Sequence, residues 1–253
     1  MRKQLTPQER LIVAADFQPS SGGGRKEVKA RVLALADSLK GTGVCIKINT
    51  ILRATGYNLI DEIRARGLEV FADLKLVDIP ETLTTDAMLL TEAQPALLTV
   101  MCQAGNAAMA ALKAALPDLK AAMPGTEVLG VTVLTSLKDK DTQDMFSCDV
   151  GPGVERFAKL AAKAGLDGLI SSAKEAEMLR GIVGDDMTLN TPAIRPVWSL
   201  VEGDDQNSDR IMTPTKAIQA GADRVVVGRP IVRADNPYDA TMRTIDEIAS
   251  ACA

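Results

Sequence analysis

Gly67-Leu68-Glu69-Val70-Phe71-Ala72-Asp73-Leu74-Lys75-Leu76-Val77-Asp78-Ile79-Pro80 is the stretch on which the fold turns. It follows a helical segment at 59–65, and Gly67 suits the left-handed cap that releases a helix into a strand. The apolar run at 68–74 reads as a buried strand that ends in charge. Residues two apart on a strand share a face, so Asp73 and Lys75 are expected to point the same way, with Asp78 in the loop beyond.

The same unit recurs along the chain. Strand-like runs are expected at 11–16, 44–48, 68–74, 96–101, 128–134, 168–171, 188–191 and 224–227. Helical stretches lie between them at 26–39, 59–65, 81–91, 107–115, 154–164, 174–180 and 214–220. Gly165 and Gly221 repeat the helix-to-strand punctuation of Gly67. Parallel strands need crossover helices, and eight strand–helix units in about 250 residues is the arithmetic of a (β/α)₈ TIM barrel. One α/β domain over residues 1–253 is therefore expected, with an open doubly wound sheet as the competing architecture. Three polar stretches, 20–24, 139–153 and 195–210, read as loops at the C-terminal ends of strands, where barrels build active sites.

Composition narrows the chemistry. The 253 residues include no histidine, which excludes a Ser-His-Asp triad, a Cys-His dyad and His-ligated zinc or haem. A net charge of −4 with 3 % aromatics lacks the basic, stacking surface of a nucleic-acid binder. Cys45, Cys102, Cys148 and Cys252 are widely spaced and form no C-x-x-C pair, as in a reduced cytoplasmic protein. Residues 1–10 are polar, and no apolar run reaches membrane-spanning length, so no membrane partner is expected.

Charge concentrates where successive strands end. Asp16 closes the first run, Lys47 sits near the end of the second, and Asp73, Lys75 and Asp78 follow the third. Buried charges are tolerated when paired, and Lys47–Asp73–Lys75–Asp78 alternate in sign. Any one of them could be a salt bridge at the barrel mouth; the combination points to catalysis. A second site is expected at Gly228-Arg229-Pro230, after the eighth strand, where barrels commonly grip phosphate through backbone N–H groups and arginine. Arg195 and Gln206, in the seventh loop, are further candidate donors.

Asp73-Leu74-Lys75-Leu76-Val77-Asp78-Ile79-Pro80-Glu81-Thr82 closely resembles the signature of the orotidine 5′-phosphate decarboxylase family. The resemblance continues, in the family's order, through Asp16, Lys47, 131–136, 191–196, Gln206, 211–214 and 228–231. It implies a (β/α)₈ homodimer with active sites at the subunit interface and no metal or organic cofactor. Carried over by residue, it implies that Asp16 binds the ribose hydroxyls and that Lys47 and Asp73 form a charged network, with Asp73 facing the substrate carboxylate. Lys75 would protonate C6 of the pyrimidine. Asp78, Ile79 and Thr82 would reach into the partner's site. Thr135 and Ser136 would meet the pyrimidine, Arg195, Gln206, Gly228 and Arg229 would lie on the phosphate side, and Pro192 would be a further substrate contact. The implied reaction converts orotidine 5′-phosphate to UMP and CO₂ in pyrimidine biosynthesis.

This chain departs from the family's pattern in places. Many members carry a histidine after the fourth strand, where this chain reads Thr99-Val100-Met101-Cys102-Gln103. Ala193 replaces a usual glycine, and the seventh loop, which holds Trp198, is longer than in most bacterial members; Trp198 is expected to pin that loop. Sibling enzymes of the keto-gulonate phosphate decarboxylase and hexulose-phosphate synthase type share D-x-K-x-x-D but hold Mg²⁺. They place an acidic residue where Lys47 stands, and a lysine there would repel the cation. A catalytically silent phosphate-binding barrel is the alternative of a different class, and a buried Lys75 beside Asp73 has no purpose in one.

Overall fold

A computed structural model of the chain describes residues 4–90, 92–112, 126–200 and 212–252. Eight parallel strands pair in sequence order and close on themselves: β1 (Leu11–Ala14), β2 (Cys45–Ile48), β3 (Glu69–Leu76), β4 (Leu97–Met101), β5 (Glu127–Val131), β6 (Gly168–Ile170), β7 (Thr188–Thr191) and β8 (Arg224–Val227). β1 pairs with β8 as well as β2, so the open sheet is excluded and the TIM barrel stands. Gly67, Gly165 and Gly221 all take positive φ, as their helix-capping positions require.

The period-two alternation divides the strand side chains between two cores. One face packs against the surrounding helices, through residues such as Leu11, Val13, Ile46, Ile48, Val70 and Leu98. The other fills the barrel, where Ile12, Ala14, Cys45, Phe71, Leu97, Leu129 and Val226 form an apolar plug. At the N-terminal end of that interior, Arg224 and Glu127 make a buried bidentate ion pair at 2.7 and 2.9 Å. Two residues along β2 and β3 from Cys45 and Phe71 the same inward face carries Lys47 and Asp73, so the plug is a floor for charge at the C-terminal end.

Several elements differ from the sequence expectation. Residues 139–153, read as a polar loop, form helix Asp139–Phe146 and the first turn of helix Val150–Lys163. The first of these buries only Thr142, so it lacks an apolar stripe. It is held by its ends: Asp141 accepts the Lys138 N–H at 2.9 Å, and Ser147 closes it in the left-handed conformation. Pro152 lies in the first turn of the second helix, where proline is tolerated. A short helix, Thr50–Thr55, precedes Asn58–Arg64, and helix Pro237–Cys252 closes the fold. The 107–115 helix is described at 106–112 only. β1 stops two residues before Asp16, and β3 runs past Leu74 to Leu76.

The extension of β3 involves an irregularity. Ala72 pairs with Leu98 and Leu76 with Val100, so Asp73, Leu74 and Lys75 stand opposite Thr99 alone. This bulge puts Lys75 at φ 49°. Among the described residues, no helix is long and apolar enough to cross a membrane.

Candidate active site

The C-terminal end of the barrel opens into a cavity of about 840 Å³. Asp16, Lys47, Asp73, Lys75, Thr135, Pro192, Arg195, Gly228 and Arg229 all line it. Its apolar wall is made by Ala14, Phe71, Val131, Val133, Ile170 and Val226, which come from five strands or their ends.

Charge runs across the cavity as an alternating chain. Lys47 Nζ donates to both Asp16 carboxylate oxygens at 2.9 Å and lies 3.4 Å from Asp73 Oδ2. Lys75 Nζ donates to Asp73 Oδ1 and Oδ2 at 2.7 and 2.6 Å. Lys47 and Asp73 are each 7 % exposed, whereas the Lys75 and Asp16 side chains reach solvent in the cavity. Burial pushes the Asp73 carboxyl up, but the Lys47 and Lys75 charges, with hydrogen bonds from Lys75 and Thr99, outweigh it and hold the group below its ordinary range. Asp73 is thus a buried carboxylate kept ionised by two ammonium groups. The fourth member of the chain within one subunit is Asp16, not Asp78 as the sign alternation suggested.

Asp78, Ile79, Thr82 and Ser136 do not line this cavity. Asp78 is exposed, and its Oδ1 accepts the Ile79 N–H at 2.7 Å. Ile79 is 61 % exposed, and Val77, Met88 and Leu89 are exposed large apolar residues on the same loop and following helix, Pro80–Leu90. Asp86 on that helix has its carboxyl raised by burial and by the neighbouring Asp78 charge. Gln206 lies outside the described residues.

On the opposite side, Gly228 precedes the short helix Arg229–Val232 after β8, and the Arg229 side chain, which lines the cavity, has no ion-pair or hydrogen-bond partner among the described residues. Gly228 approaches the β1 end closely: a Cβ there would lie 3.6 Å from that of Ala14. Trp198 is not part of the cavity lining; it packs on the outer core beneath the Arg243 guanidinium, 4.8 Å from its ring centroid. Ala193 takes φ 63°, the left-handed region that explains a glycine preference there.

Sequence reasoning missed several cavity residues. Phe71, Asn49 and Arg31 line it, the last with its guanidinium 4.4 Å over the Phe17 ring. Phe71 was legible in principle, as the inward neighbour of Asp73 two positions before it. Nothing in the sequence marks Arg31, which reaches the cavity from helix Arg25–Ser38.

Comparison with known proteins agrees with this arrangement. Residues 9–244 match the sequence profile of the orotidine 5′-phosphate decarboxylase / HUMPS family. An orotidine 5′-phosphate decarboxylase of Gluconobacter oxydans is 40 % identical over 222 residues, covering 85 % of this chain and 91 % of that protein. One from a Bradyrhizobium species is 38 % identical and covers 100 % of this chain and 97 % of its own. The crystal structure of orotidine 5′-phosphate decarboxylase from Lactobacillus acidophilus superposes with a TM-score of 0.78 at 28 % identity, over 95 % of this chain and 99 % of that one. A barrel with a charged mouth and end-to-end similarity of this kind identifies the chain as a member of the orotidine 5′-phosphate decarboxylase / HUMPS family.

Proposed function

We propose that the chain is a carboxy-lyase that converts orotidine 5′-phosphate to UMP and CO₂ in pyrimidine biosynthesis, in the cytoplasm and without a cofactor. The observation that carries this reading is the Asp16–Lys47–Asp73–Lys75 chain on an apolar floor. Loss of CO₂ from C6 of the pyrimidine breaks a C–C bond and leaves its electron pair on a carbon with little resonance relief. Stabilisation must come from fixed charge, which is strongest where water is excluded. The Lys75 ammonium supplies that charge and then gives a proton to C6; the resulting amine regains one from solvent. Asp73 holds Lys75 in place and sets a negative charge against the substrate carboxylate, an interaction relieved as CO₂ departs. In this reading Asp16, which pairs with Lys47, meets the ribose hydroxyls, Thr135 meets the base, Gly228, Arg229 and Arg195 meet the phosphate, and Pro192 is a further substrate contact; all of them line the cavity. Binding energy from the phosphate, remote from C6, orients the ring.

The active form in this reading is a homodimer with shared sites. Asp78, Ile79 and Thr82 do not line their own subunit's cavity, and they lie on the loop and helix that expose Val77, Met88 and Leu89. A second copy packed on this segment would bury those apolar side chains and bring Asp78, Ile79 and Thr82 to the neighbouring site, with Ser136 as a further substrate contact. The test is direct. Purified protein mixed with orotidine 5′-phosphate is expected to lose the substrate's ultraviolet absorbance as UMP forms. Folded protein without turnover overturns the proposal.

A further inference from the structure

Thr99 touches both halves of the Asp73–Lys75 pair from a different strand. It is fully buried in β4, and its inward-facing neighbour two positions before it is Leu97 of the apolar plug. Its Oγ1 accepts the Lys75 backbone N–H at 3.0 Å and donates to Asp73 Oδ1 at 3.0 Å. The β3 bulge leaves Asp73, Leu74 and Lys75 facing this one residue, where a regular ladder would have offered backbone partners. The hydroxyl therefore replaces a missing ladder acceptor at the very residue whose backbone is left-handed, Lys75 at φ 49°.

The polarity of the two bonds is forced. A hydroxyl has a single proton, and an amide N–H can only donate. With a lone pair taken by Lys75 N–H, the Thr99 proton points at Asp73, which accepts it as a carboxylate. One buried side chain thus fixes the backbone of one charged residue and the carboxylate orientation of the other. Thr191, equally buried in β7, by contrast gives its hydroxyl to the Arg224 carbonyl of the adjacent strand at 3.3 Å and bridges no charged pair.

We infer that Thr99 is a positioning residue for decarboxylation, setting the separation and orientation of the Lys75 ammonium and the Asp73 carboxylate through its hydroxyl. This rests on the proposed decarboxylase reading and adds a residue to it. The charged groups facing Asp73 are Lys47 from β2 and Lys75 from β3, with Asp16 behind Lys47; β4 contributes only the neutral hydroxyl. Removing it takes a donor from the ionised carboxylate, so Asp73 should protonate at higher pH.

The experiment compares wild type with Thr99→Val, Thr99→Ala and Thr99→Ser, following turnover of orotidine 5′-phosphate across pH. Angström-scale misplacement of reacting groups lowers rates by about 100-fold. Thr99→Val and Thr99→Ala are expected to lose roughly 10- to 100-fold in kcat with KM little changed. The acid limb of kcat/KM should move to higher pH in both, and Thr99→Ser should restore both quantities. Thr99→Ala, the smaller change, carries the comparison where Thr99→Val does not fold. Wild type that fails to turn over overturns the decarboxylase reading itself. Wild type that turns over, beside a hydroxyl-free variant that keeps kcat and acid limb while losing only melting temperature, overturns the role of Thr99 alone. So does a serine variant as impaired as the alanine one.

Discussion

Lys75 Nζ sits 2.7 and 2.6 Å from the two carboxylate oxygens of Asp73, so one ammonium is held symmetrically by one buried carboxylate. The two residues lie two apart on β3, yet their meeting depends on a bulge that turns the Lys75 backbone left-handed. The lysine side chain remains 36 % exposed, in the cavity, while Asp73 is closed off beneath it. This arrangement presents a cation to ligand and hides its counter-ion.

In the proposed mechanism, Lys75→Ala removes both the charge that stabilises the carbanion and the proton that quenches it. General acid catalysis and electrostatic stabilisation each contribute at least about 100-fold, so a loss of roughly 10⁴-fold or more in kcat is expected. UMP carries no carboxylate to be lost and is held through ribose, base and phosphate, so its affinity should stay within an order of magnitude. Steady-state rates with UMP titration check both; a variant that turns over normally would show that the proton comes from elsewhere.

Asp73 also carries a pH signature in stability. Its folded pKa lies below the ordinary value of 3.8, so the stabilisation is fully present above 3.8 and is lost as pH falls through the folded value. Asp73→Asn leaves Lys47 with Asp16 alone and is expected to lose roughly 1–3 kcal/mol at neutral pH. The deficit relative to wild type should shrink as pH drops below 3.8. Denaturant melts at several pH values measure it, and a deficit that grows towards acid would contradict the ionised Asp73.

Much of this site was readable from residue order, because strand ends carry it. Asp73 and Lys75 share a face by period two, and Gly228-Arg229 falls where barrels hold anions. What escaped was set by contacts between strands. Thr99 is an unremarkable β-branched residue until the register shift places it alone against three residues of β3. Helix Asp139–Phe146 escaped because its stability comes from its ends and not from an apolar stripe. The left-handed backbone of Ala193 became visible only as a departure from an expected glycine.

Magnesium dependence separates this chain from metal-using siblings. Lys47 Nζ lies 3.4 Å from Asp73 and 2.9 Å from Asp16, occupying the space a divalent cation would need between those carboxylates. Decarboxylation is therefore expected to survive EDTA undiminished. A strict Mg²⁺ requirement, restored by titration of the metal, would move the assignment to the sibling activities.

The proposed shared sites make a prediction that single-subunit sites do not. Lys75→Ala and Asp78→Ala are each expected to be inactive. Lys75 lines its own subunit's cavity, and Asp78 does not. Mixed and re-paired, random C₂ dimers place one unaltered site in each heterodimer, or about a quarter of all sites. Recovery of about that fraction of wild-type activity supports the trans arrangement; no recovery in demonstrably mixed dimers counts against it.

At the other end of the barrel, Arg224 and Glu127 hold each other at 2.7 and 2.9 Å, and Asn190 Oδ1 accepts from Arg224 at 3.1 Å. Glu127→Gln keeps the shape and removes the charge, leaving a buried guanidinium without its anion. Breaking such a pair by one partner costs about 3–5 kcal/mol. For a chain of this size that is roughly 6–20 °C in melting temperature. The apolar layer of Ile12, Cys45, Phe71, Leu97, Leu129 and Val226 separates this pair from Lys47 and Asp73, so kcat at a permissive temperature should not change. Adding Arg224→Met to Glu127→Gln removes the uncompensated charge, and the double variant should be more stable than the single one. A double variant less stable than Glu127→Gln would mean that Arg224 stabilises the base through its remaining hydrogen bonds and not through the ion pair.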